Sequence, residues 1–152
     1  TYGGPVRPAV VPMLLAGLIA ACSPKAPAAG VSPQLADPDA EQEVSTILEA
    51  AVTGDPKGSG ADSLYSAAST VVANGSLRLS TPRLAGVQPG GSAAITTSEV
   101  SVRGGVAWAM VEYRWFSTEQ NQVRVGRATV VLMPRSGGRG WWIVHAHSST
   151  SR

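Results

Sequence analysis

The sequence has few of the residues that form disulfides, metal sites, acid–base sites and nucleic-acid interfaces. It contains one cysteine, Cys22, so it can form no disulfide within itself. It has two histidines, His145 and His147, and no aspartate after Asp62. Only 14% of its 152 residues are charged, the net charge is +2, and the cations form no run. Dispersed charge of this size does not track a phosphate backbone, so we expect no nucleic-acid partner.

Long hydrophobic runs are absent as well. The longest covers residues 9–21, about 13 residues, whereas a membrane-spanning helix needs about 20. Arg7 precedes this run and small residues lead from it into Cys22. This order is typical of a secretory signal, and residues 19–22 resemble a bacterial lipobox. We predict a signal peptide over residues 1–21 and lipidation of Cys22. The alternative is a buried N-terminal helix that carries an incidental cysteine.

Residues 22–38 separate this signal from the rest of the chain. They contain four prolines and almost no bulky apolar side chain, so they cannot bury enough surface to order themselves. We interpret them as a tether. The prediction is an exported protein, held by its lipid on the periplasmic side of the outer membrane, whose folded domain covers residues 39–152.

The domain begins with one helical pattern and continues with strands. An acidic cap at residues 37–39 precedes an apolar stripe at helical spacing, and this helix should end at Gly54. Residues 63–69 are predicted to form a second, short helix. Five alternating segments then follow, separated by turn residues. This order predicts an α+β domain in which N-terminal helices pack on one face of an antiparallel sheet.

Two of these segments hold the candidate site residues. In the strand at 106–116, Ala109, Tyr113 and Trp115 share one face, which we assign to a concave wall, whereas Glu112 lies on the polar face. In the last strand, strict alternation would place both histidines on the face of Trp141, about 6.5–7 Å apart.

Three roles are open to the histidine pair. A catalytic metal site needs a third protein ligand, and the sequence offers no further histidine or free cysteine, so we expect no metal or other cofactor. General acid or base catalysis suits an imidazole, which titrates near neutral pH. The interpretation that we favour is that His145 and His147 line a pocket without turnover.

The order of elements, with "GGVAWAMVEYRW", "GRATVVL" and the terminal "GWWIVHAHSS", resembles the nuclear transport factor 2-like superfamily, in particular its SnoaL-like, ketosteroid-isomerase-like group. The resemblance implies a cone-shaped, strongly curved sheet whose interior holds a ligand. It departs from the family at residues 80–92, which are short and rich in proline and glycine where many relatives carry a third helix.

The resemblance also implies a function. We expect a small, mainly apolar or amphipathic ligand in the cone, contacted by the following residues: Tyr65, Ala109, Tyr113, Trp115, Trp141, His145 and His147. One alternative is a cyclase, isomerase or hydrolase with His145 or His147 as general acid or base, although the aspartates of a ketosteroid isomerase have no counterpart in these strands. Another is an assembly module that forms homodimers, with Trp142 as an interface residue.

Overall fold

The computed structural model describes residues 37–78, 82–137 and 139–151, all within the compact unit Pro33–Arg152. The signal peptide, Cys22 and most of the predicted tether lie outside these residues. One α-helix and two 3₁₀ segments precede six strands: α1 (Pro38–Gly54), the 3₁₀ segments Asp55–Lys57 and Ser59–Leu64, β1 (Tyr65–Ala73), β2 (Ser76–Arg78), β3 (Ser92–Arg103), β4 (Val106–Ser117), β5 (Gln122–Pro134) and β6 (Trp141–Thr150). Within the described ranges, no helix combines the length and the apolar character needed to cross a membrane.

Helix α1 forms where the sequence predicts it. Asp37 caps it, since its carboxylate accepts a hydrogen bond of 3.2 Å from the backbone N–H of Ala40, and Pro38 occupies the first turn, where no N–H is needed. One stripe of the helix is buried: Val44, Leu48, Ala51 and Val52. The second predicted helix is wrong. A 3₁₀ segment ends at Leu64, and residues 65–69 open strand β1.

The six strands form one open sheet in the order β2-β1-β6-β5-β4-β3. All neighbours are antiparallel except β1 and β6, which run parallel, so the sheet is mixed and the prediction of a purely antiparallel sheet is corrected. The last strand of the chain therefore lies in the middle of the sheet. Tight turns at residues 74–75 and 104–105, all with positive φ, close two of the hairpins.

The two faces of the sheet have different surroundings. We call the side that packs against α1 the inner face and the opposite side the outer face. On β4 the inner residues are buried at every second position, as the alternation predicts: Ala107, Ala109, Val111, Tyr113 and Trp115. They form one core with the buried stripe of α1 and with Leu132 and Ile143 from β5 and β6. An α+β cone with the helix on the inner face is thus confirmed.

Residues 82–91, which we call the covering loop, continue the core beyond the helix. Leu84, Ala85 and Val87 are buried, although the loop has no regular secondary structure. The sequence predicted no third helix here, which would leave the cavity shallow or open on this side. The loop instead packs on the sheet and supplies apolar side chains to the core.

Candidate functional site

Tyr113 and Trp115, two of the predicted ligand-binding residues, use their polar atoms to hold the covering loop. The Tyr113 hydroxyl donates to the carbonyl of Ala85 at 2.7 Å, and the Trp115 indole donates to the carbonyl of Gln88 at 2.9 Å. Burial raises the pKa of Tyr113 to about 12, so its hydroxyl remains a donor at neutral pH. The polar atoms of Tyr113 and Trp115, which suggested a ligand, thus already have hydrogen-bond partners in the backbone of the covering loop.

The inner wall around these rings is closely packed. Ala109, Tyr113 and Trp115 are at most 1% exposed, so no void the size of a water molecule adjoins them. Gly126 on β5 lies beneath the Tyr113 ring and Gly91 beneath the Trp115 ring, and a Cβ at either position would overlap the ring. These contacts explain two glycines to which the sequence gave no role. Around Ala109, Tyr113 and Trp115, the interior of the cone is therefore filled by the protein's own side chains.

Three further side chains bind the backbone of the covering loop. The Ser148 hydroxyl accepts from Ala85 N–H at 2.9 Å, and the Asp55 carboxylate accepts from Leu84 N–H at 2.9 Å. Arg124 donates to the carbonyl of Gly86 at 3.3 Å and stacks 5.0 Å above the Trp115 ring. A loop without secondary structure must satisfy its buried backbone groups in this way.

Asp55 is a buried acid that sequence reasoning missed. It is 1% exposed, and of its two oxygens Oδ2 accepts the Leu84 bond whereas Oδ1 has no partner. Burial raises the pKa of Asp55 to about 7, although the hydrogen bond from Leu84 and the charge of Arg83 pull it down. In the sequence it stands in a glycine-rich loop directly after the helix, where an exposed acid is the ordinary expectation.

Tyr65 and Trp141 are buried at the rims of two small cavities. Tyr65 borders one of about 220 Å³ together with Asp62, and burial raises its pKa as well. Trp141 borders another of about 200 Å³ beside Asp37 and Ala40 at the start of α1. The structure therefore does not bring these two residues together with Tyr113 and Trp115 around one cavity.

The two histidines lie on the outer face, so the prediction that they share the face of Trp141 is wrong. Strand β6 has a bulge at Val144, because His145 pairs with Val131 while Ile143 pairs with the next residue, Leu132. One extra residue reverses the alternation. Trp141 and Ile143 stay on the inner face, whereas His145 is half-buried and His147 is exposed on the other side.

The outer face carries most of the exposed large hydrophobic side chains of the described residues. Six of the seven, all but Leu77, alternate along β4 and β5 on this one side: Trp108, Met110, Phe116, Val123, Val125 and Met133. They are between 40% and 65% exposed. Ordinary monomers scatter such residues, and a contiguous set marks an interaction surface. The alternation on β4 was visible in the sequence, but the outer side was interpreted as polar.

An ion pair lies in the middle of this outer face. Arg127 and Glu112 are cross-strand neighbours, and their side chains meet at 2.7 Å. Trp108, Met110 and Met133 lie on one side of the pair along the strands, and Phe116, Val123 and Val125 lie on the other. Trp142, the aromatic residue predicted for an interface, is half-buried under the Arg135 guanidinium at 3.8 Å.

His147 borders a groove of about 430 Å³ on the outer face. Glu99, Met110, Glu112 and Arg127 are among the other residues that line it. Within the described ranges, neither histidine forms an ion pair, and no group of three or more metal-binding side chains occurs. The groove brings an imidazole near two glutamates, one of which is already paired with Arg127.

No protein-family model and no curated protein matches the chain, but solved structures do. A nuclear transport factor 2-like protein of unknown function from Pseudomonas putida has a TM-score of 0.58 and 19% identity over 76% of this chain and 89% of its own. A candidate dehydratase of the same family from Streptomyces avermitilis has a TM-score of 0.59 and 18% identity over 76% and 99%. The association domain of C. elegans CaMKII has a TM-score of 0.51 and 18% identity over 74% and 93%. The fold expected from the sequence is confirmed.

Proposed function

We propose that this domain, which has the nuclear transport factor 2-like fold, is an assembly module in which two copies pack through the outer faces of their sheets. The observation that carries the proposal is the concentration of exposed hydrophobic side chains on the outer side of β4 and β5. Burying such a surface releases about 25 cal/mol per Å² of apolar area, and no element of the described chain covers it.

The arrangement of charge on the outer face suits a pair related by two-fold symmetry. A two-fold axis parallel to the strands and passing between β4 and β5 places Glu112 of one copy over Arg127 of the other. The four charges then alternate in sign at the centre, with hydrophobic side chains above and below them. An axis perpendicular to the strands would oppose like charges, which is unfavourable.

The fold is compatible with this role. The CaMKII association domain is one of the solved structures that share the fold, and its name states that it serves association. At 18% identity, the shared fold supports testing an association role for this domain, but it identifies no partner and no mode of assembly. The other two structures named above are a protein of unknown function and a candidate dehydratase, so the proposal depends on the outer face itself.

The proposal includes a membrane tether. Lipidation of Cys22 would hold the module on the periplasmic side of the outer membrane through residues 22–38. The support is the order of cation, apolar run, small residues and cysteine in the sequence. Metabolic labelling with a radioactive fatty acid tests it, since the full-length protein should incorporate label and the Cys22→Ala variant should not. Equal labelling of both would contradict the tether.

The small-ligand and enzyme alternatives have less support. Tyr113 and Trp115 are satisfied by the covering loop, and Ala109 adjoins no void, so the cone does not offer the expected cavity at these residues. The enzyme alternative would have to use His147 in the outer groove, where Glu99 lies three strands away and Glu112 is paired with Arg127. We therefore rank assembly first, and a ligand contacted by His147 there would compete with it for the same surface.

Oligomeric state tests the proposal directly. Analytical ultracentrifugation of residues 37–152 should show a dimer, and Met110→Asp should shift it to a monomer, because an aspartate in the apolar interface cannot be paired. Leu77→Asp is the matched control, since Leu77 is equally exposed at 55% but lies on the edge strand β2, three strands away from β5 and outside the hydrophobic set on β4 and β5.

Two results would contradict the pairing. One is a wild-type protein that sediments as a monomer at 100 µM, a concentration well above the ~1 µM dissociation constant of an ordinary stable interface. The other is a Met110→Asp variant that remains dimeric, which would place the interface elsewhere. Circular dichroism of both variants confirms that they fold.

A further inference from the structure

A cavity of about 700 Å³ lies between the β1–β2 hairpin, the covering loop and the ends of β5 and β6, and none of the ligand-binding residues predicted from the sequence is among its lining. Three arginines line it: Arg78 on β2, Arg83 at the start of the covering loop and Arg124 on β5. No aspartate or glutamate is among its lining residues. Its volume is in the range of small-molecule sites, about 300–1,000 Å³.

The positive charge in this cavity has no acidic partner at ion-pair distance within the described residues. Arg124 is held by the carbonyl of Gly86 and the side-chain amide of Gln122, which are uncharged partners. None of the three arginines takes part in an ion pair within the described residues. Three positive charges around one cavity repel one another, and a bound anion would reduce this electrostatic repulsion.

Arg83 has a buried donor without an acceptor. Its Nε is shielded from solvent and forms no hydrogen bond. An unmade hydrogen bond at a buried cationic donor is costly, and such a group needs an explanation. The charge of Asp55 acts on Arg83, but the two form no ion pair and Asp55 does not line the cavity. Because this atom is shielded from solvent, an oxyanion in the cavity could reach it only if the Arg83 side chain turned toward the cavity.

The rest of the lining combines apolar side chains with three uncharged polar ones, Asn74, Gln88 and Thr150. Leu77, Leu84, Val87 and Pro89 form the hydrophobic part of the wall. The geometry points to a binding site for a small amphipathic organic anion, whose carboxylate or phosphate group pairs with the arginines and whose apolar body packs against this wall. Guanidinium groups bind both kinds of oxyanion through two parallel hydrogen bonds.

Calorimetric titration with octyl phosphate, kept below its micelle concentration, tests this site. We expect saturable binding that weakens ~10-fold or more in Arg78→Gln and in Arg83→Gln, since each removes a charge-assisted hydrogen bond. Arg114→Gln is the matched control, because Arg114 is an exposed arginine on the outer face of β4. Its affinity should stay within ~2-fold of the wild type.

Further probes decide the chemistry. Octanol should not bind, and inorganic phosphate should bind more weakly than octyl phosphate because it lacks the apolar body. Equal binding of octanol, or an equal loss of affinity in Arg114→Gln, would overturn the site. Vesicles of phosphatidylglycerol separate a free anion from a lipid headgroup: arginine-dependent binding to vesicles without binding of octyl phosphate would overturn the proposal of a small soluble ligand.

Discussion

The inner and outer faces of the same sheet show how differently one strand can use its two sides. On the inner face of β4, Tyr113 and Trp115 are buried and their polar atoms bind the covering loop. On the outer face of the same strand, Trp108 and Phe116 are at least 40% exposed. The chain supplies a helix and a loop for one side and, in the described residues, nothing for the other. The comparison teaches that equally regular alternation leads to different burial on the two sides, because the described chain covers only the inner one.

Replacing one tryptophan on each face of β4 should give the largest contrast. Trp115→Ala removes a ring that is 0% exposed, so we expect a loss of about 3–5 kcal/mol in the free energy of unfolding. Trp108→Ala removes one that is 40% exposed and should cost the monomer about 1 kcal/mol or less. Urea denaturation of dilute protein measures both. Similar losses would mean that the outer face is also buried within the monomer.

Titration of the buried carboxyl group of Asp55 should give the second largest effect on stability. The pKa of Asp55 is raised from 3.8 to about 7, so the folded state holds a proton that the unfolded chain releases near pH 4. Stability should therefore fall as the pH rises from about 4 to 7 and then level off, with a slope of at most ~1.4 kcal/mol per pH unit from this group.

Asp55→Asn should remove that dependence, since the amide oxygen still accepts from Leu84 and no longer ionises. Urea denaturation at pH 5 and pH 8 measures the difference for each protein. Glu112→Gln is the control on the outer face and should retain the slope of the wild type, because Glu112 is 40% exposed at its side chain. An Asp55→Asn variant with an unchanged slope would contradict the buried, protonated acid.

Reversing charges at the centre of the outer face should give the smallest effect. Glu112→Arg places two like charges side by side, and we expect ~10-fold weaker pairing of the two copies, about 1.4 kcal/mol. The double variant Glu112→Arg with Arg127→Glu restores the alternation and should recover most of the affinity. Sedimentation equilibrium at several concentrations gives the dissociation constants. Failure of the double variant to recover would exclude the proposed axis parallel to the strands.

The sequence predicts those parts of this fold that depend on regular spacing. The stripe on α1 and the alternation on β4 both emerge in the structure, because periods of 3.6 and 2 follow from backbone geometry. The bulge at Val144 was not predictable in this way: "WWIVHAHSS" reads as one uninterrupted strand, and one extra residue moves His145 and His147 to the other face.

The other missed features depend on contacts between distant parts of the chain. Arg78, Arg83 and Arg124 meet around one cavity although the last is far from the first two in sequence. Asp55 is buried because the covering loop crosses it, and the only local hint is its position between a helix and Pro56. Segment 63–69 was assigned to a short helix, whereas residues 65–69 open strand β1, in which Tyr65 pairs with Ile143 of β6.

The position of β6 determines when this domain can fold. The final strand lies between β1 and β5, so the β1–β2 hairpin and the β3–β5 meander share no direct strand pairing without it. During synthesis these two parts can pair only after β6 has been made, and contacts between such distant segments form slowly. A nascent chain without Trp141–Thr150 would therefore leave the facing edges of β1 and β5 unpaired and open to misassembly.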